Sequence, residues 1–440
     1  MKSINSILLT ILVISIGALS AQAQTQNEIR EIYVKGCVNV VIKGSRNDDY
    51  YKVNGEAKVN FKDGILYAES KGKANATIEI HQTKLPEYVS SNNGALTISD
   101  FIDRNIYYRP SEIVYTNLKI DKKGAGDILL NNIHTKVHIS INATNMATDA
   151  TNGLNLRIEN ISLGAIGSVE LNCNNFDVVK MENVILSLVK SNITDCAAFN
   201  MKNITSSEFV FNNKSRKSVV TMKNIVASSK FNLNDVVGRK STNRYRINQI
   251  NASLVDIQYQ SMGELYVDNI TASNARLGIT NCIQCLFKNI HTNSLDLGCR
   301  NSCVDVNSIT ARNVLFDFDE GTKFNLQSHI SATNMKLRLR DKVSSALFSD
   351  VSVTNAEMDV NGSFLQILRG CVLAAKINTT GKVEIEARNL TINKADITMD
   401  GNALLKLNIY KVQGIKNKGN GVLKNYNKNV VGGIDWTLMK

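Results

Sequence analysis

A single-stranded, right-handed parallel β-helix is the fold class this sequence predicts, and three observations predict it. The first is a repeat. Short strings recur that end on an aliphatic residue: Met181-Glu182-Asn183-Val184, Met201-Lys202-Asn203-Ile204, Met222-Lys223-Asn224-Ile225, Val267-Asp268-Asn269-Ile270 and Phe287-Lys288-Asn289-Ile290. With that last residue as a marker, the series runs through Ile250, Ile309, Ile330, Val351, Cys371, Leu390 and Val412, and two earlier copies end at Ile133 and Ile161. From Val184 onward the spacings are 20, 21, 25, 20, 20, 19, 21, 21, 20, 19 and 22. The second observation is alternation within the repeat. Apolar residues stand five and three before the marker, small or apolar ones two after, and a third set at five, seven and nine after, as in Val255, Ile257 and Tyr259. A period of two marks short strands with one inward face, not helices. The third is proline usage: 440 residues contain only Pro86 and Pro110, which suits strands whose every N–H joins a ladder.

Three short strands and three corners in about 20–21 residues make one coil of a solenoid. A leucine-rich repeat needs its own consensus and a helical segment in each unit, and a propeller needs a period near ~40; neither pattern is present. The right hand follows from the rule for parallel crossovers. At roughly 4.8 Å per strand, fourteen coils span about 65 Å.

Element by element, residues 1–23 combine a basic start, an apolar run over 7–19 and Ala21-Gln22-Ala23, the pattern of a signal peptide cleaved after Ala23. That run is short for a bilayer span, and no later run approaches ~18 residues, so the mature chain is expected to be exported and not membrane-spanning. Residues 24–120 read as an N-terminal cap and first irregular coils, 121–412 as the regular repeats, and 413–440, ending near Trp436, as a C-terminal cap over the open strand edges. Asn precedes the marker at Asn132, Asn160, Asn183, Asn203, Asn224, Asn269, Asn289 and Asn389. Asn tolerates the left-handed backbone of a sharp corner, and stacked copies can exchange amide hydrogen bonds along the solenoid.

Val34-Lys35-Gly36-Cys37-Val38-Asn39-Val40-Val41-Ile42, then Asp63-Gly64-Ile65-Leu66-Tyr67, Leu85-Pro86-Glu87-Tyr88-Val89 and Lys123-Gly124-Ala125-Gly126-Asp127-Ile128 follow one another in an order that resembles the bacterial auto-transporter adhesin family with a head GIN domain. The resemblance covers about residues 30–135. It implies export and a β-helix, with Gly-Ala-Gly-Asp opening one coil, and it brings no catalytic residues. This chain departs from the family in using Asn where many members keep Gly and in running many more coils.

Charge and chemistry narrow the function. Lys and Arg number 51 against 39 Asp and Glu, a net charge of +12, which falls to +11 without Lys2 and favours acidic partners. Lys336, Arg338 and Arg340 alternate with Met335, Leu337 and Leu339, so the three cations share the outward face of one strand; Lys223, Lys230 and Lys288 also face out. This stripe either keeps the solenoid soluble or contacts a polyanionic glycan or the cell-envelope surface; no nucleic acid is expected. Polysaccharide-acting enzymes on such scaffolds need converging carboxylates. The one dense acidic string, Asp317 to Gly321, reads as an outward Asp317 followed by a corner, and the five histidines lack metal-ligand spacing. No cofactor or metal is expected. The leading reading is thus a non-enzymatic exported binding or adhesin-like protein; the alternative is a lyase or hydrolase with residues spread over several coils.

Of eight cysteines, Cys282, Cys285, Cys299 and Cys303 cluster as C-x₂-C-x₁₃-C-x₃-C. The repeat frame puts Cys282 and Cys303 at one corner of neighbouring coils, a disulfide candidate after export, with free buried thiols or a Zn²⁺ site as alternatives. Cys371 stands in place of a marker aliphatic and is expected in the core.

Overall fold

The computed structural model describes residues 24–25, 28–46, 49–70, 76–103, 116–146, 154–238, 240–340 and 345–427. The expected leader at 1–23, Pro110 and Trp436 lie outside the described residues. The chain forms two compact units, 1–187 and 188–440. Each is a β-solenoid built of stacked parallel strands, and there is no helix among the described residues.

In the first unit the coils do not stack in sequence order. The first half of strand Glu31–Gly44 pairs in parallel with Ile65–Glu69 on one side and Tyr88–Asn93 on the other. Its second half does the same between Ala76–Gln82 and Leu96–Ser99. Gly36 makes the bend at φ 84°, and a Cβ there would stand 2.4 Å from the Ser70 carbonyl oxygen. Residues 65–69 and 76–82 therefore lie in the outermost coil, and the chain returns past residues 31–44 to continue the stack. Antiparallel strands cover that outer edge: Tyr50–Asn54 lies on Ala76–Gln82, and Lys58–Lys62 on Ile65–Glu69. They occupy ladder positions that would otherwise invite pairing with another chain.

The Gly-Ala-Gly-Asp corner has a steric explanation. Gly124 and Gly126 adopt φ 86° and 103°, and a Cβ on Gly126 would come within 2.3 Å of the Gly94 carbonyl. Asp127 Oδ1 accepts the backbone N–H of Asn155 at 2.9 Å, joining this coil to a later one. Beside it the buried Lys122 donates Nζ to the carbonyls of Asn92 and Ala125, and burial pushes its amine down to about 8.

In the second unit the coils follow in order. Ile204, Ile225, Ile250, Ile270, Ile290, Ile309, Ile330 and Val351 stand in one continuous register, each at most 2% exposed. Equivalent residues pack on one another along the axis. Phe209 and Phe231 are register partners whose rings stack at 5.3 Å, and Phe316, Phe318, Phe324 and Phe348 form a second aromatic cluster. No coil can bury such a face alone, so the shared core couples neighbours. The stretch expected as a C-terminal cap is described to residue 427, where Val422–Asn425 adds a strand parallel to residues 404–407.

One marker is corrected. Val351 pairs with Gly370, not with Cys371, whose side chain is exposed. Gly370 has φ 134°, and a Cβ would sit 2.0 Å from the Val351 carbonyl oxygen. That close approach is why no aliphatic residue holds the position, and it turns the next residue outward.

The interior also holds a polar pocket. Asp235, fully buried, accepts the Asn243 amide at 2.8 Å on Oδ2, while its Oδ1 has no partner among the described residues. Asn213 donates to the hydroxyls of Ser218 and Tyr245 beside it. Burial pushes the Asp235 carboxyl up to about 6, against the hydrogen bonds from Asn243 and Tyr245.

Candidate binding site

The corner asparagines divide into two kinds. Asn132, Asn160, Asn183, Asn203 and Asn224 adopt φ of 53–56°, as a left-handed corner requires. Asn269, Asn289 and Asn389 do not. At Asn203 and Asn224 the ladder skips the Asn, whereas at Asn269 and Asn289 the Asn pairs and the skip falls one residue earlier, at Asp268 and Lys288. The amide exchange along the solenoid is present within both groups: Asn183 donates to Asn160 at 3.1 Å, Asn224 to Asn203 at 3.0 Å and Asn289 to Asn269 at 2.9 Å. A second left-handed corner column escaped the sequence reading. It runs through Asn281, Asn301 and Gly321, with Asn301 donating to Asn281 at 2.9 Å.

Cys282 and Cys303 are not joined by a disulfide in this structure. The corner before Cys303 is one residue shorter than the one before it, because Asn281 stacks on Asn301 while Cys285 pairs with Val304. Cys303 therefore falls opposite Gln284 and faces partly outward, while Cys282 is buried. Cys285 and Cys299 face inward as expected, and burial pushes both thiols well up, so they are poor nucleophiles. No group of three or more His, Cys, Asp or Glu is placed to hold a metal ion among the described residues.

The stripe of Lys336, Arg338 and Arg340 does share one outward face, but the coils on either side set carboxylates against it. Lys336 Nζ lies 2.9 Å from Glu357 and 3.7 Å from Asp359. Arg340 reaches Asp317 at 2.6 Å, and Arg338 stands in register between Asp317 and Asp359. Lys336 and Arg340 are thus ion-paired, while Arg338 has carboxylates in register on both sides without an ion pair among the described residues. Asp317 points out and Gly321 turns the corner at φ 72°, as the sequence predicts.

A second basic face lies elsewhere on the second unit. Lys202, Lys223, Arg246 and Lys288 line a shallow groove of about 650 Å³ together with Tyr266, Asn224 and Asn248. The one carboxylate of its wall, Asp268, pairs with Lys288 at 2.6 Å. Lys202 and Lys223 are direct register partners, and Lys202 has an interaction of its own. Arg246 pairs in register with Tyr266 on the next strand. Among the described residues neither Lys223 nor Arg246 has a carboxylate within ion-pair distance. Burial is the main cause that pushes the Tyr266 phenol up, and Arg246 acts against it. The groove thus offers two uncompensated cations beside an aromatic ring on a rigid ladder. Lys223 and Lys288 were legible as outward cations; Arg246 and Tyr266, each four residues before its marker and so also outward in the alternation, were missed.

No protein-family model matches the chain, and no curated protein matches it. Among solved structures, it is similar to a "putative adhesin" from Bacteroides fragilis, at 13% identity and a TM-score of 0.24 over 60% of this chain and 95% of that one. It is also similar to a "putative lipid binding protein" from Parabacteroides distasonis, at 11% identity and a TM-score of 0.15 over 92% and 96% of the two chains. A "putative adhesin" from Parabacteroides merdae is similar at 9% identity and a TM-score of 0.16, over 90% and 95%. At those scores the likenesses carry neither mechanism nor ligand to this chain, and the fold stands on its own strand pairing.

Proposed function

We propose that this chain is an exported, non-enzymatic, adhesin-like protein that binds a polyanionic glycan along the groove at Lys223 and Arg246. One observation carries the reading: Lys223 and Arg246 stand on a rigid sheet with no carboxylate within ion-pair distance among the described residues, in a protein whose other basic stripe has carboxylates in register on both sides. An anion laid across the groove meets both cations with charge-assisted hydrogen bonds and finds Tyr266 to pack on. The stripe at Lys336, Arg338 and Arg340 contributes the lesser part. Export supports a uronic or sulfated glycan of the envelope or a foreign surface over nucleic acid. The leader-like residues 1–23 and the head GIN resemblance over about residues 30–135 both support that placement.

The test is binding of the purified mature chain to immobilised polygalacturonate and heparin across a salt series, with the eluted glycan assayed for cleavage. Affinity should fall steeply as the Debye length shrinks from about 10 Å at 0.1 M to about 3 Å at 1 M salt, and the polymers should leave uncut. Salt-independent binding, no binding, or cleavage at an enzymatic rate overturns the proposal. N-terminal sequencing of protein recovered from the producing cell's envelope should begin at Gln24.

A further inference from the structure

The outer face of the first unit carries a row of tyrosines that the groove reading does not use. Tyr33 and Tyr67, register partners, stack with ring centroids 5.2 Å apart and planes 14° from parallel; Tyr88 packs on Tyr33 at 5.3 Å. Two of the three rings are fixed through their hydroxyls. Tyr33 donates to Glu31 at 2.7 Å and Tyr88 to Asp121 at 2.8 Å, and Lys119 closes that end of the row 5.4 Å from the Tyr88 centroid. The hydrogen bond to Glu31 is the main cause that pushes the Tyr33 phenol up to about 12, so its O–H stays in place.

The opposite end is open. Tyr67 is 48% exposed and its hydroxyl has no partner among the described residues. It borders a recess of about 470 Å³, within the ~300–1,000 Å³ typical of small-ligand sites. The rim of that recess is polar and unspent. The side chains of Lys58, Asn60 and Asn92 make no hydrogen bond or ion pair among the described residues, and Asn60 is the register partner of Tyr67 on the antiparallel end strand. Glu69 is already taken by Lys35 at 3.3 Å.

We infer that this recess is a saccharide subsite that takes a neutral pyranose ring against Tyr67 and Tyr33. The electron-rich face of an aromatic ring attracts the weakly positive C–H face of a sugar. Primary amides both donate and accept, which suits neighbouring sugar hydroxyls better than an acyl chain or an ion. Tyr33, locked by its own hydroxyl bond, loses little freedom on binding. The subsite is independent of the basic groove, since its contacts do not rest on opposite charge.

The full mature chain is titrated with cello-, laminari-, malto-, manno- and xylo-oligosaccharides at about 1 M salt, where charge contacts are screened. Binding is followed by calorimetry and by perturbation of tyrosine absorbance. At least one probe should bind with a Kd below about 1 mM. Tyr67→Ala and Asn60→Ala should each weaken it, the former about tenfold, while Tyr67→Phe stays within about threefold because that hydroxyl is untied. Lys223→Ser/Arg246→Ser should leave it unchanged, which separates this subsite from the polyanion groove. Absence of binding by every probe, or wild-type affinity in both Tyr67→Ala and Asn60→Ala, overturns the inference.

Discussion

The two basic faces of the second unit look alike in sequence and differ in the structure. Lys336, Arg338 and Arg340 lie between Asp317 on one coil and Glu357 and Asp359 on the next, whereas Lys223 and Arg246 have no such neighbours. In a solenoid, the chemistry of an outward residue is set less by its sequence neighbours than by the residues about 20 positions away on either side. A charge is structural when the adjacent coils answer it and available when they do not.

The largest effect of an unanswered charge is expected in the interior. Among the described residues no cation stands against the buried Asp235, and its folded-state carboxyl is raised to about 6 from 3.8. Stability is fully present below the unfolded value and is lost as pH rises through about 6, because ionisation is opposed only in the folded state. At pH 7 that amounts to about 3 kcal/mol. Asp235→Asn should recover most of it and flatten the stability profile between pH 4 and 6, as read by urea titration at a series of pH values. A variant with the wild-type slope would remove Asp235 from the account.

Next comes the groove itself. Lys223→Ser/Arg246→Ser should lower polyanion affinity about 30-fold at low salt, at about 1 kcal/mol for each exposed charged contact, with unchanged thermal unfolding.

The smallest effect sharpens the comparison from the other side. Asp317→Asn/Glu357→Gln/Asp359→Asn should uncover the stripe and raise polyanion affinity severalfold, while the loss of exposed ion pairs costs at most about 1 kcal/mol each. If affinity does not move, the stripe is merely a solubility feature.

Much of this was legible because one constraint repeats. Period-two alternation inside a period of about 20 leaves few alternatives, so Ile204, Ile270 and Ile330 fall in the core where the spacing puts them. Failures occur where a coil changes length by one residue. The shortened corner slides Cys303 away from Cys282, and Gly370 takes the place assigned to Cys371. The order of the first coils was not readable at all, since nothing in residues 31–99 states that 65–82 stacks beneath 31–44. The carboxylates around the stripe were readable and missed: Asp317, Arg338 and Asp359 are each 21 residues apart. A search for charge at the coil spacing, and not only for runs along the chain, finds them. The tyrosine row is hidden for a different reason, as Tyr33, Tyr67 and Tyr88 meet only through the irregular stacking of the first unit.

The register pairing predicts that the coils on either side decide which cations bind. This is tested most directly by measuring heparin affinity against salt for three proteins side by side: the wild type, Lys223→Ser/Arg246→Ser and Lys336→Ser/Arg338→Ser/Arg340→Ser. The prediction is a steep salt dependence in the wild type, a large loss and a shallower slope in the groove variant, and a change of at most about threefold in the stripe variant. A stripe variant that loses as much affinity as the groove variant, or more, would contradict it.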